Sequence, residues 1–498
     1  MSETNPASAN RRLLLRHLGA AGALLLIGPP SRWSPARAAP PPDALSIDAF
    51  GARGNGTTDC TDAVARAIRA AATAGRGVYI PEGRYRVREA RLLNGLKYIE
   101  GPGWLVGTSA QPEGVVTTND PGAPTPVEGL RISVNVDCAG IARGGIFCVG
   151  LRNSEIRGCR VTGLTADGGN GIRLNFPNSS GNLIHRNEVI LAPAIPYALF
   201  HDGLFGIHIV GETTSPRGGV ERQGRPIYVP VTTRDNRVLD NHVTGGTHGI
   251  AFFGASGFTC TGNRCENQEA RNIIAGPTCE NGTIADNLCL DAGSSAVHLA
   301  IGCRNIAIER NTIRSSHASA REDDDGAIQA YVYCTDIRIQ GNRISGDWKN
   351  GIYLVYVARV QVIDNIIDGR GFSAAGISIE SGWSPTVLPG ARWSRPRPLD
   401  YDIAIDTSDI LLRGNVVSGA PVSLALAQVG PRRLRGVAIE GGRIGEASGQ
   451  YLFAYEQRPG ALGDLSMANV ATPGDARRFV LPRGRSHFRR ILNVPGLN

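Results

Sequence analysis

One short phrase returns along the middle of the chain: an asparagine, one variable residue, then usually a β-branched one. It reads Asn241-His242-Val243, Asn263-Arg264-Cys265, Asn287-Leu288-Cys289, Asn311-Thr312-Ile313, Asn342-Arg343-Ile344 and Asn365-Ile366-Ile367, at steps of 22, 24, 24, 31 and 23 residues. Asn187-Glu188-Val189 and Asn415-Val416-Val417 extend the series at longer gaps. A period of this length, with no helical pattern between, predicts one coil of a parallel β-solenoid per repeat. Such coils cannot bury their inner faces alone, so they must stack about 4.8 Å apart. An Asn at each corner can then pass side-chain amide hydrogen bonds to the Asn of the next coil.

A second phrase, Gly-Ile-x-apolar, accompanies the first. It appears at Gly171, Gly206, Gly249, Gly351 and Gly376, with Ala296 and Ala327 filling the same slot. In an extended strand the Ile and the last apolar residue face one way and x the other. Reading x from coil to coil gives Arg173, His208, Ala251, Ala275, His298, Gln329, Tyr353 and Ser378. Two positions further on, also outward by alternation, lie Asn175, Tyr331 and Glu380, and just before the strands stand His248, Asp325 and Lys349.

The N-terminus reads as an export signal. Arg11-Arg12 precede an apolar run through Ile27, and Ala36-Arg37-Ala38 precede Ala39, with the paired arginines favouring the twin-arginine route. That segment is too short to span a membrane, and no later run is long enough either. Removing residues 1–38 takes away five Arg and one Glu and leaves 47 basic and 43 acidic side chains. A small, dispersed excess of this kind argues against nucleic acid as a partner. The expected organisation is an export signal over 1–38, a Pro-rich linker over 39–44, and a cap with the first coils over 45–105. A β-helix then runs over 106–476, and a C-terminal cap or tail over 477–498.

Ten cysteines in an exported chain would ordinarily suggest disulfides. Here Cys279, Cys303 and Cys334 stand 24 and 31 residues apart, and Cys265 and Cys289 stand 24 apart, as stacked interior residues would. A Cys260–Cys265 bridge is the one pairing the spacing leaves open.

Between the linker and the coils, Asp59 can cap a helix whose Val64, Ala67, Ile68 and Ala71 repeat at helical spacing and which Gly75 ends. An amphipathic helix there would cover the open first coil. The residues of this region are Phe50-Gly51, Gly54-Asn55-Gly56, Thr58-Asp59, Thr61, Ala67-Ile68 and Val78-Tyr79-Ile80-Pro81-Glu82-Gly83-Arg84-Tyr85. They resemble the N-terminal part of the pectate lyase superfamily, in the branch of polygalacturonases, rhamnogalacturonases and phage tailspikes. Cys60 stands where that pattern carries a second Asp. The resemblance implies an all-β right-handed parallel β-helix with polysaccharide as substrate class. It covers only about residues 45–105 and speaks to fold more than to chemistry. The polygalacturonase motifs Asn-Thr-Asp, Gly-His-Gly and Arg-Ile-Lys are not found, and Gly246-Thr247-His248-Gly249 is a distant echo.

Insertions at 191–233, 315–325 and 381–403 lengthen three coils, and long loops on rigid scaffolds tend to carry function. Two reactions fit the outward row beside them. A polyuronate lyase or C5-epimerase needs a group to neutralise the carboxylate, a base, and in a lyase an acid for the leaving oxygen. Arg173 or Gln329 would neutralise, His208 would be the base, and Tyr353 or Tyr331 the acid, with His298 also in the row. A hydrolase instead needs two carboxylates, for which Asp202, Asp323, Asp324, Asp325 and Glu380 are available. Asn175, Gln329, Tyr331, Lys349, Glu380 and His248 would bind substrate, and Trp348, Trp383 and Trp393 could stack on sugar rings. Any one of these is also an ordinary solvated or packing residue. No cofactor is expected; Asp323–Asp325 could take calcium, but their spacing matches no standard site. The expectation is an exported lyase or epimerase for an acidic glycan. A hydrolase, or a non-catalytic glycan-binding or envelope solenoid, is the alternative, and the subunit number stays open.

Overall fold

A computed structural model describes residues 40–110, 113–118, 126–165, 169–193, 203–211, 233–316, 326–382, 405–446, 449–481 and 484–497. The repeats do form coils. The strands Ser295–Leu299, Arg304–Glu309 and Thr312–Ser315 lie on three walls of one coil, and Asn311 turns the corner between the last two. Each strand pairs in parallel with its counterpart one coil on: Val297 opposite Ile328, Ile306 opposite Ile337, Ile313 opposite Ile344. Among the described residues the first wall is a single sheet of fourteen strands, from Ala90–Leu92 to Phe479–Val480. The whole is an all-β right-handed parallel β-helix.

β-Branched and leucine side chains stack inside it. Ile273, Val297, Ile328, Ile352 and Ile377 form one buried column, contributed by successive coils. At the N-terminal end the helix Thr61–Thr73 turns Ala63, Val64, Ala67, Ile68 and Ala71 onto this core. Cys60, not Asp59, is the N-cap and makes no side-chain cap; Asp59, one residue earlier, accepts hydrogen bonds from the Thr61 amide (2.9 Å) and hydroxyl (2.6 Å). At the other end, Phe479–Val480 and Phe488–Leu492 join the first wall and one of the others, so the tail completes a last partial coil.

The asparagine ladder runs unbroken from Asn187 through Asn241, Asn263, Asn287, Asn311, Asn342 and Asn365 to Asn415. Each amide nitrogen donates to the next side-chain oxygen at 2.9–3.0 Å. The residue before each ladder asparagine turns in the left-handed region, including Asp240, Asp286, Arg310 and Asp364 at φ 52–55°. Such backbone is costly outside glycine, and Arg310 is held there by two hydrogen bonds to Asp286, at 2.8 and 2.9 Å. The ladder ends at Asn415. Gly442 follows Asn415 in register, but Asn469 falls one residue early, in the left-handed turn row at φ 56°. A second, shorter rung, Asn182 to Asn236 at 3.0 Å, is not visible in the repeat phrase.

All ten cysteines are free and buried, which removes the Cys260–Cys265 bridge. Cys265 instead lies opposite Cys289 on the next coil. Cys279, Cys303 and Cys334 stack, their thiols donating to the carbonyls of Phe252, Ala275 and Ala300 at 3.1–3.2 Å.

Candidate functional site

The first wall carries the outward row. Its register runs Phe147, Arg173, His208, Ala251, Ile274, His298, Gln329, Tyr353, Ser378, Ala425, Phe453. Ile274 therefore occupies the place expected for Ala275, which points into the core opposite Phe252. The row is outside the sheet, yet apart from the half-buried Arg173 and Phe453 it is closed to solvent. His208 is 6% exposed, His298 2%, Gln329 1%, and Tyr353 and His248 0%.

A second outward row was hidden by strict alternation. Asn170, Phe205, His248, Arg271 and Ser295 stand three residues before the x position, in register with one another, and Asn170, Phe205 and Ser295 reach its side chains. The recurrent glycine explains why. A Cβ on Gly206 would lie 2.2 Å from Val243 Cγ1, and one on Gly171 would lie 2.4 Å from Val189 Cγ1. The small residue is pressed against the opposite wall, so two inward positions follow one another and the residue before them turns out. That glycine was the signal in the sequence for Asn170 and Phe205, which the alternation rule passed over; Arg271 is followed by Asn272 and carried no such signal.

Two polar groups emerge along the row. In the first, His208 Nδ1 lies 2.9 Å from Asn170 Oδ1. Its ring stacks on Phe205, centroids 4.2 Å apart and 14° between planes, and meets the edge of Phe253 at 4.9 Å. His248 tilts against the same Phe205 ring at 4.9 Å. Arg173, one coil before His208, donates to Asn175 at 3.0 Å and lies over Phe147. Burial pulls the Arg173 guanidinium down from its ordinary value, with Glu113 opposing. Burial first, then the charges of Arg173 and His248, hold the His208 imidazole well below its ordinary range. His208 Nε2 has no hydrogen-bond partner among the described residues.

That depressed imidazole has a consequence for stability. Above pH 6.5 His208 is neutral in both folded and unfolded chains and contributes no pH dependence. Below it the unfolded chain takes up a proton that the fold refuses, so stability falls as pH falls, by up to about 1.4 kcal/mol per pH unit. Urea unfolding of the native chain and of His208→Gln between pH 7 and 5 isolates this difference. The native chain should lose more stability, and parallel curves would contradict the assignment.

The second group lies further along. His298 is three coils from His208, roughly 14 Å, and Tyr353 five, roughly 24 Å. Ala251, Ile274, Phe205 and Phe253 fill the gap as an apolar patch. Here Ser295 donates to Gln329 Oε1 at 3.1 Å, and the His298 and Tyr331 rings lie 6.0 Å apart. The Tyr353 and Ser378 hydroxyls donate to the two Glu380 oxygens at 3.2 and 3.0 Å. Tyr353 packs with Val332, Tyr333, Val355 and Tyr356. The structure thus brings Arg173, Asn175, His208 and His248 together and sets Gln329, Tyr331, Tyr353 and Glu380 apart from them. Gln329 cannot share a sugar with His208, nor can either tyrosine serve as its acid.

Trp348 is corrected outright: it is buried in the interior core, its indole N–H donating to Ser345 at 3.0 Å, and offers no face to a sugar. Lys349 is half-buried in the turn before Asn350–Val355. Asp202, Asp323, Asp324, Asp325, Trp383 and Trp393 lie outside the described residues, as does the signal segment.

Comparison with known proteins fits this geometry at the level of fold. Residues 44–98 match the family described as rhamnogalacturonase A/epimerase, pectate lyase-like. Residues 217–368 match the one described as periplasmic copper-binding protein (NosD). No curated protein sequence matches the chain. A similar solved structure is the A-module of the mannuronan C-5 epimerase AlgE6 of Azotobacter vinelandii. Its identity is 14%, over 86% of this chain and 99% of that one, with a TM-score of 0.51. The surface protein and adhesin PfbA of Streptococcus pneumoniae is similar at 14% identity, over 83% and 100%, at 0.48. The family 28 exopolygalacturonase of Yersinia enterocolitica follows at 13%, over 91% and 78%, at 0.41. What is shared is the parallel β-helix fold. No helix among the described residues is long and apolar enough to cross a membrane.

Copper does not fit the described residues. They hold no group of three or more His, Cys, Asp or Glu side chains placed to take a metal ion. The cysteines of the matched segment are buried, and burial pushes the Cys260, Cys265, Cys289 and Cys303 thiols up, away from the thiolate a metal needs.

Proposed function

We propose that the chain is an exported enzyme for an acidic polysaccharide, acting by β-elimination or C5 epimerisation at the group around His208. The observation that carries this reading is a buried imidazole held neutral, its Nε2 without a partner among the described residues, one coil from an arginine. A uronate carboxylate paired with Arg173 would have the charge of its carbanionic intermediate neutralised. His208 Nε2 would take the proton from C5, leaving the electron pair delocalised into the carboxylate. In elimination the C4–O bond then breaks and its oxygen takes a proton. In epimerisation a proton returns to C5 from the other face. His248, across the Phe205 ring, is the nearest candidate for that second proton. The outward wall, the pectate lyase-like match and the signal-like N-terminus support the reading together.

Incubation with a panel of polyuronates tests it. Ultraviolet absorbance of an unsaturated uronide marks a lyase, and solvent deuterium entering C5 without chain cleavage marks an epimerase. New reducing ends without that absorbance would mean hydrolysis and overturn the proposal. A second reading, a non-catalytic solenoid, is favoured by how little of the row is exposed; glycan binding without turnover would establish it.

A further inference from the structure

His208 can act as a base only if the right nitrogen carries its proton, and the coil before it holds the group that decides this. We infer that Asn170 is a positioning residue that fixes His208 as the Nδ1–H tautomer and so leaves Nε2 as the acceptor. For its use in catalysis the inference rests on the reading above; for the tautomer it does not.

The contact is a ring nitrogen 2.9 Å from an amide oxygen. A side-chain amide could present either its oxygen or its nitrogen there, and the surroundings separate the two cases. If Asn170 donated, Nδ1 would be the acceptor and Nε2 would carry the hydrogen. Nε2 is buried and meets no acceptor among the described residues. An orphaned buried N–H costs about 1–3 kcal/mol, and such donors are rarer in folded proteins than under-used acceptors. With Nδ1–H donating to Asn170 Oδ1, the nitrogen left unused is only a lone pair, and a lone pair is what a base needs.

The rest of the surroundings enforces this choice. Asn170 sits in a strand, its backbone amide bonded to Arg143 O at 3.0 Å and its Cα in register with Phe205. Phe205 against one face and the edge of Phe253 restrict rotation of the ring. Arg173 from the preceding strand and His248 from the following one act on the imidazole, and both oppose a second proton. An orienting carbonyl on the far nitrogen of a base is the logic of catalytic triads, with an amide in place of the carboxylate.

Selective 15N labelling of histidine reads the tautomer directly, with no substrate needed. The intact chain should show His208 as a pure Nδ1–H imidazole at pH 7. Asn170→Ala should shift the ring toward a mixture with the Nε2–H form. Asn170→Asp keeps the acceptor and adds a negative charge, so it should hold the Nδ1–H form and move the titration of His208 to higher pH. On a polyuronate that is turned over, Asn170→Ala should lower kcat at least about tenfold with KM little changed. Asn170→Asp should recover part of that rate while moving the acid limb of the pH profile upward. An Nε2–H tautomer in the intact chain, or an unaltered Nδ1–H form in Asn170→Ala, overturns the inference. If the tautomers behave as expected and no glycan is turned over, the positioning stands and the proposed function falls.

Discussion

Exchange of His208 for glutamine should lower kcat on a responsive polyuronate by about a thousandfold, the scale of a lost general base. Glutamine is the informative replacement, because alanine would open a hole between Phe205 and Phe253, where the ring is packed. It keeps most of the volume and a polar end near Asn170, so the fold should survive while no group of suitable basicity remains. The rate should fall in kcat more than in KM, since on the proposed reading Arg173 and Asn175, bonded to each other at 3.0 Å, would still meet the carboxylate. Initial rates across a substrate series, with far-ultraviolet circular dichroism to confirm the strands, decide the matter. A variant that keeps more than about a tenth of the native kcat cannot have lost its base, and the base would then be sought in the His298 group.

For stability, the largest effect should come from the interior ladder, at Asn311. Its side-chain nitrogen donates to Ile284 O (3.0 Å) and to Asn342 Oδ1 (2.9 Å). Its oxygen accepts from the Asn287 backbone (3.0 Å) and the Asn287 amide (2.9 Å), all in a site with 0% exposure. Asn311→Leu removes both functions and leaves Ile284 O and the Asn287 donors without their partner. At about 1–3 kcal/mol per stranded buried group, the loss should reach about 4 kcal/mol or more. Chemical denaturation should register it as a large drop in midpoint. The double variant Asn287→Ala/Asn311→Ala should cost less than the sum of the single changes, because each strands groups the other removes. A loss below about 1 kcal/mol for Asn311→Leu would mean that the ladder is incidental to the stack.

The fold was legible because each coil repeats one solution. Asn241, Asn263 and Asn287 recur because the same corner recurs, and the Ile after each glycine recurs because the same inner face must be filled. Cys265, Cys279, Cys289, Cys303 and Cys334 were read as interior residues on the same ground, and they and the other five are buried and free. The site was legible only in part. Arg173 beside His208 followed from counting coils, but Asn170, Phe205 and Phe253 did not, since the phrase treats their positions as neutral filler. Trp348 misled for the opposite reason: an aromatic just before an outward-facing strand looks like a sugar platform, yet the turn folds it inward onto Ser345.

Periodicity alone settled the solenoid and the face that carries the polar row. It could do so because stacking is a nearest-neighbour problem, and every coil answers it with the same residue types. Which members of that row can meet one sugar was a matter for the tertiary structure. The count of coils already put His208 and Tyr353 five apart, but Ile274 rather than Ala275 fills an outward place between them, and a glycine pressed on the far wall turns Asn170 toward the imidazole. Those placements depend on contact between walls, which no stretch of sequence spells out.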